Sequence, residues 1–174
     1  MSQANDMHDV VDVSRLLKAA AKTVRSVRNC WLATAAEAGG QSFRPMGRLR
    51  RDAEDADWKI RFLTDGRSRK ASDMRRDSRV VIIYQHDPDD AFVTLIGRAT
   101  LQENASEIRK RWNGAYDVFF PSEKDRAHAV FVEIEVERME LWIRGVTPEP
   151  FGLAATVLER DAGGDWRRAA PNGR

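Results

Sequence analysis

The chain has 174 residues, 42% hydrophobic and 32% charged, which suits a single globular domain and excludes a disordered tail protein. Its 29 lysines and arginines against 27 aspartates and glutamates leave a formal charge of +2, too balanced to indicate a nucleic-acid binder. One cysteine, Cys30, excludes an internal disulfide and, with no cysteine or histidine close by, a metal-ligand spacing; a reducing, cytoplasmic home is expected.

Asp6, Asp9 and Asp12 stand where a signal peptide would carry a basic stretch and an apolar core, so no signal peptide is expected; residues 1–12 are read as a flexible lead-in. No window approaches the roughly 20 apolar residues that span a bilayer. Neither a membrane nor a nucleic acid is expected as a partner. From Val13 the apolar positions Leu16, Leu17, Ala20, Ala21, Val24 and Val27 recur at three and four, which predicts a helix over 13–28 with Ser14 as a candidate cap. Arg15, Lys18, Lys22, Arg25 and Arg28 fall mostly off that stripe and are read as a solvated face.

Short runs divided by turn residues follow. Strands are predicted over Cys30–Ala36 and Ser42–Arg50, around Gly39 and Gly40. After the acidic Asp52–Asp57 comes Trp58–Thr64, where Trp58, Ile60 and Phe62 alternate with Lys59 and Arg61. Val80–Tyr84 is continuously apolar, as a strand covered on both faces would be, and a turn over His86–Asp90 leads into a strand over Phe92–Leu101. Asn104 and Glu107 resemble a capping box before a helix over Ala105–Trp112.

Ala129–Ile143 is the longest extended candidate. Its row Glu133, Glu135, Glu137 is read as a solvent-facing stripe rather than an acid and base array. Residues 147–174 form a C-terminal extension, with a hairpin of Thr156–Arg160 and Trp166–Arg168 around Asp161–Gly164. Links too short for crossover helices predict a mainly β fold, an antiparallel barrel with peripheral helices, as one domain over 1–174.

The segment Phe62-Leu63-Thr64-Asp65-Gly66-Arg67-Ser68-Arg69-Lys70-Ala71 carries the chemistry. A strand ends, a turn with Gly66 follows, and a helix opens near Ser68 and runs to about Asp77. Its start gathers backbone N–H groups, the positive end of a helix dipole, a hydroxyl and the cations Arg67, Arg69 and Lys70, the chemistry that holds a phosphate. Upstream, Pro45 restricts Arg44-Pro45-Met46-Gly47-Arg48 to an edge, a strand start or a bulge, with Arg44, Met46 and Arg48 on one face. His8, His86 and His128 lie outside these motifs, and Cys30 is read as a buried, inert thiol.

The order Arg44-Pro45-Met46, Phe62-Leu63-Thr64, Ser68-Arg69-Lys70-Ala71, Ser78-Arg79-Val80, Ile96-Gly97-Arg98-Ala99 and Glu140-Leu141-Trp142 resembles the pyridoxamine 5′-phosphate oxidase-related split barrels that bind flavin. It is most similar to their general stress protein 26 branch, which carries an Arg-Pro-Met strand and an insert with Trp and Phe-Phe-Pro, here Trp112 and Phe119-Phe120-Pro121. The resemblance implies a six-stranded antiparallel Greek-key split barrel. It implies a homodimer with one flavin mononucleotide (FMN) in each of two interface clefts, and a flavin-dependent oxidoreductase acting on a small substrate.

By the same resemblance Arg69 and Lys70 grip the phosphate with help from Ser68. Arg44, Pro45 and Met46 meet the ring or ribityl chain, Leu63 and Thr64 touch the cofactor, and Trp142 arrives from the second subunit, with Trp112 and Phe120 lining the cleft. Relatives of this fold also take heme or deazaflavin, and FAD is a further alternative. The oxidases that make pyridoxal 5′-phosphate carry Arg-x-His or Arg-x-Ser just after the tryptophan. Here Trp142 is followed by Ile143-Arg144-Gly145-Val146, so that activity is not expected, and a non-catalytic flavin-binding stress or regulatory module stands as the alternative.

Overall fold

The computed structural model describes residues 2–47, 49 and 58–169, the side chains of 2–11 excepted. Among the described residues four α-helices and eight strands follow in the order α1 (Ser2–Ser26), β1 (Asn29–Ala35), β2 (Gln41–Gly47), β3 (Lys59–Asp65), α2 (Arg69–Arg76), β4 (Arg79–His86), β5 (Ala91–Gln102), α3 (Ala105–Arg111), α4 (Glu123–Arg126), β6 (Ala129–Ile143), β7 (Thr156–Arg160) and β8 (Trp166–Arg168). One sheet takes the order β2-β1-β4-β5-β6-β7-β8, and β3 pairs with β6 off that path. The sheet is mainly antiparallel, with helices at its periphery. Beyond the six strands β1–β6 it carries the hairpin β7–β8, at the predicted residues.

The long strand β6 organises this sheet because its 15 residues offer more length than one partner fills. Its first half pairs antiparallel with β3, Phe62 opposite Val132 and Thr64 opposite Val130. Its second half pairs with β7, Met139 opposite Leu158. Burial alternates through most of β6, with Val132, Ile134 and Val136 inside. Glu135 and Glu137 are exposed and Glu133 is bound to Arg61 at 2.9 Å, which is the solvent-facing stripe expected of this row.

The chain divides into two compact units, one of Met1–Trp31, Ile82–Ile96 and Glu137–Arg174, the other of Leu32–Val81 and Gly97–Val136. In the first, α1 buries Leu16, Ala20 and Val24, the predicted stripe, while the strands bury Tyr84, Val93, Leu95, Met139, Leu141 and Leu158. The cations on its outer face are exposed, and two of them act as tethers: Lys22 meets Asp89 at 2.9 Å and Arg15 donates to the Gly145 carbonyl at 2.9 Å. In the second unit Leu32, Phe62, Ala71, Met74, Val80, Ile134 and Val136 are buried.

Several local expectations are corrected. Helix α1 begins at Ser2 rather than Val13, so Ser14 sits inside it instead of capping it, and the helix stops at Ser26. Strand β3 begins one residue late because Trp58 has φ 55°, a left-handed value that a strand does not accommodate. Val81 and Ile83 of β4 are only half-buried, so one face of that strand, not both, is fully covered. Asn104 caps α3 by accepting from the Ser106 and Glu107 N–H groups, but the Glu107 carboxylate goes to Lys110 at 2.7 Å rather than back to the cap. A reciprocal capping box stands instead at α4, between Ser122 and Asp125. Arg48, Arg50 and Asp52–Asp57 lie outside the described residues.

Candidate functional site

The second unit brings most of the predicted site residues together where β3 passes into α2. Gly66 makes the corner: its N–H donates to the His128 carbonyl at 2.7 Å, and a Cβ there would stand 3.0 Å from Val130 Cγ1 and 3.3 Å from that carbonyl. Ser68 then closes the helix start, its Oγ accepting from the Ala71 N–H at 3.4 Å. Arg69 and Lys70 follow as the first two helical residues, positions whose N–H groups have no partner within an α-helix. Predicted from the turn and the serine, this helix start is found at those residues, although the Ser68 oxygen is taken up by capping.

Three cations converge here, but not the three that chain order indicates. Arg67 folds back on Asp65 in a two-pronged ion pair, Nε to Oδ1 at 3.0 Å and Nη2 to Oδ2 at 2.6 Å, so its charge is compensated locally. Its place is taken by Arg44 from β2. Burial lowers the Lys70 ammonium's pKa, the Arg44 charge lowers it further, and Asp65 opposes the shift. Burial also lowers the Arg44 pKa, against Asp73, with Arg69 adding to the depression. Arg44 therefore stands within the electrostatic reach of both Arg69 and Lys70, a cluster of like charge at the start of α2.

Beneath them lies a buried carboxylate that the sequence reading did not single out. Asp73, on the inner face of α2 and only 2% exposed, accepts the Thr34 hydroxyl at 2.8 Å. Thr34 Oγ1 in turn accepts from Arg44 Nη1 at 2.7 Å, while Arg44 Nη2 stands 3.5 Å from Asp73 Oδ2 and Arg76 reaches Oδ1 at 3.3 Å. Burial pushes the Asp73 carboxyl up, but the Thr34 hydroxyl and the Arg76 and Arg44 guanidiniums outweigh it and hold it below its ordinary range. An aspartate on a short helix reads as solvated. Only the packing of α2 shows that it is enclosed.

The remaining predicted residues divide by face. On β2, which ends the sheet order, one of the places open to its proline, Arg44 and Met46 share the half-buried face and Pro45 lies on the exposed one. On β3, Thr64 is on the buried face with Phe62, and Leu63 is on the half-buried face opposite. Trp142 is half-buried on β6 and belongs to the first unit. Trp112 and Phe120 build the insert's own aromatic cluster, edge to face at 5.9 Å, with Trp112 Nε1 donating to Asp117 at 2.8 Å and Arg126 stacked above the indole.

The Asp65–Arg67 pair makes a pH-dependent contribution of known sign. The Arg67 hydrogen bonds hold the Asp65 carboxyl at about 2. Its stabilisation is complete above the unfolded value of about 3.9 and is lost as pH falls through the folded value. Asp65→Asn is expected to flatten the fall of the unfolding midpoint across that acid window and leave the profile near neutrality unchanged in shape. A variant profile parallel to wild type in acid counts against the pair.

A strand edge bearing Arg44 and Met46 and a capped helix start bearing Arg69 and Lys70 stand on a mainly antiparallel β fold with peripheral helices. Solved structures of the same fold include a general stress protein 26-related protein from Clostridium acetobutylicum, 15% identical at a TM-score of 0.66, the match covering 84% of this chain and 94% of that one. A pyridoxamine 5′-phosphate oxidase-related, FMN-binding protein from Nostoc punctiforme is 16% identical at 0.60, over 98% and 97%. PhzG from Burkholderia lata, solved with tetrahydrophenazine-1-carboxylic acid, is 19% identical at 0.61, over 93% and 92%. The fold they share with this chain is the split barrel. Residues 17–154 match the model of the pyridoxamine 5′-phosphate oxidase like family, and the chain belongs to that family. No curated protein matches the chain.

Proposed function

We propose that this protein binds FMN and works as a flavin-dependent oxidoreductase on a small substrate. The observation that carries the reading is the convergence of Arg44, Arg69 and Lys70 at the start of α2. FMN joins a phosphate monoester of up to two negative charges to a flat apolar ring system, so it fits a cationic, N–H-rich helix start next to strand edges. Arg69 and Lys70 hold the phosphate, with the Ser68 backbone at its side. Arg44 and Met46 face the ribityl chain or ring, Pro45 borders it through the backbone of the edge strand, and Leu63 and Thr64 close the floor at the end of β3. In a homodimer the partner's Trp142 covers the ring and limits access of water.

When bound, FMN supplies reversible two-electron reduction of its ring. The protein's own residues hold and orient it. The side chains of the cluster are committed to binding and structure rather than to acid, base or nucleophile work: Asp73 is engaged by three donors, Thr34 bridges Asp73 and Arg44, the Ser68 oxygen caps α2, and the rest are cations. The one arginine close behind Trp142, Arg144, is bound to Asp90 at 2.7 Å and stacks on Phe151 at 4.3 Å, so it is engaged in structure. This supports a substrate other than pyridoxamine 5′-phosphate. It equally favours the second reading, a flavin-binding stress or regulatory module without turnover.

An absorption spectrum before and after addition of FMN tests the cofactor. The expected result is a flavin spectrum shifted from that of free FMN, at one equivalent per chain, from a dimer by light scattering. A Soret band from heme or a deazaflavin spectrum overturns the FMN assignment. Steady-state oxidation of NADH or NADPH above the rate of free flavin excludes the non-catalytic module.

A further inference from the structure

Resting on the flavin reading, we propose that Asp73 and Thr34 are positioning residues that hold the Arg44 guanidinium on the ligand side of the cluster, against the repulsion of Arg69 and Lys70. Three like charges on mobile side chains separate into solvent unless something retains them. Arg69 is exposed and Lys70 half-buried, both on the helix itself, whereas Arg44 comes from another element and is free by chain connectivity to turn away.

Hydrogen-bond direction explains how it is held. A threonine hydroxyl has one proton and two lone pairs. Thr34 commits its proton to Asp73 Oδ2 at 2.8 Å, so its oxygen can meet Arg44 Nη1 only as an acceptor, and does so at 2.7 Å. The same Oδ2 lies 3.5 Å from Arg44 Nη2, so hydroxyl and carboxylate together engage both terminal nitrogens. A guanidinium carries five N–H donors in a rigid fork, and this two-point hold leaves others for a bound anion in a fixed orientation. Arg76 occupies the opposite oxygen, Oδ1, at 3.3 Å and donates to the Ala35 carbonyl at 2.6 Å, which secures the carboxylate itself. A purely structural link between α2 and β1 would not require a buried charge, because apolar packing of similar volume serves as well.

A double-mutant cycle on the full-length protein tests this, with FMN and riboflavin titrations and ligand-free melting as readouts. Thr34→Val keeps the shape and removes the relay. It is expected to raise the FMN dissociation constant about tenfold, the worth of a hydrogen bond to a charged group. Thr34→Ser restores the hydroxyl and is expected to stay within about twofold of wild type. In an Arg44→Ala background the added effect of Thr34→Val is expected to vanish to within about twofold, as only action through Arg44 requires. Asp73→Asn is expected to follow Thr34→Val; should it fail to fold, the threonine variants carry the test alone. Equal weakening by Thr34→Val with and without Arg44, or no weakening at all, overturns the positioning role while the flavin reading stands. A wild-type protein that binds neither FMN nor riboflavin overturns the flavin reading and this proposal with it.

Discussion

Alanine in place of both Arg69 and Lys70 is expected to raise the FMN dissociation constant by about 10²–10⁴-fold, while riboflavin affinity changes by less than about threefold. A hydrogen bond to an ionised group contributes roughly 1.5–3 kcal/mol, and two of them sum to roughly 3–6 kcal/mol, which is that range in the binding constant. Riboflavin lacks the phosphate and so reports on the ring pocket alone. Both residues open α2 on its outer, solvent-reaching side, and Lys70 already holds its proton less firmly because it is half-buried beside Arg44. A bound dianion relieves that repulsion, which is why this pair rather than Arg67, neutralised by Asp65, carries the effect. Arg67→Ala therefore serves as the control, with little change expected. FMN affinity within about fivefold of wild type in the Arg69/Lys70 double variant defeats the phosphate assignment.

Gly97→Ala is expected to lower stability by about 3 kcal/mol or more, a fall in melting temperature of about 6–12 °C for a chain of this size. A Cβ on Gly97 would lie 2.1 Å from the Glu135 carbonyl oxygen and 2.9 Å from its carbon. Both obstacles are backbone, on β6, so no side chain can rotate aside. Relief would require β5 and β6 to separate, with loss of their pairing. Gly114→Ala is the matching control, since a Cβ there meets nothing within 4 Å, and a change within about 0.5 kcal/mol is expected. A melting temperature for Gly97→Ala within a degree or two of wild type would refute the close approach.

Much of this was legible because it is local. The turn at Gly66, the cap at Ser68 and the run Arg69-Lys70 lie within a few residues, so one helix start could be read directly, and the apolar stripe of α1 and the alternation in β3 follow from side-chain period. Pro45, with no N–H to give a neighbour, limited its run to an edge, a strand start or a bulge, and β2 ends the sheet order. What failed is also physical. Arg67 counts as one of three cations in the sequence, but it folds back on Asp65, two residues before it. The apolar stripe set the helix start at Val13, yet α1 starts at Ser2, since residues without that stripe, the weak helix former aspartate among them, still continue a helix.

The sequence by itself determined the family, through the order of short motifs from Arg44 to Trp142, and the strands, three of the helices and one pole of the candidate site, each written in spacings of one to four residues. Only the tertiary structure decided which cations meet. Arg44 reaches Lys70 and Arg69 because β2 and α2 are brought together in one unit, and the link between them is Asp73 and Thr34, residues 39 apart in the chain. Nothing local marks a hydroxyl and a carboxylate at that separation as partners. Their pairing follows from the requirement that a buried charge be met by donors, which operates only once the chain has closed around it.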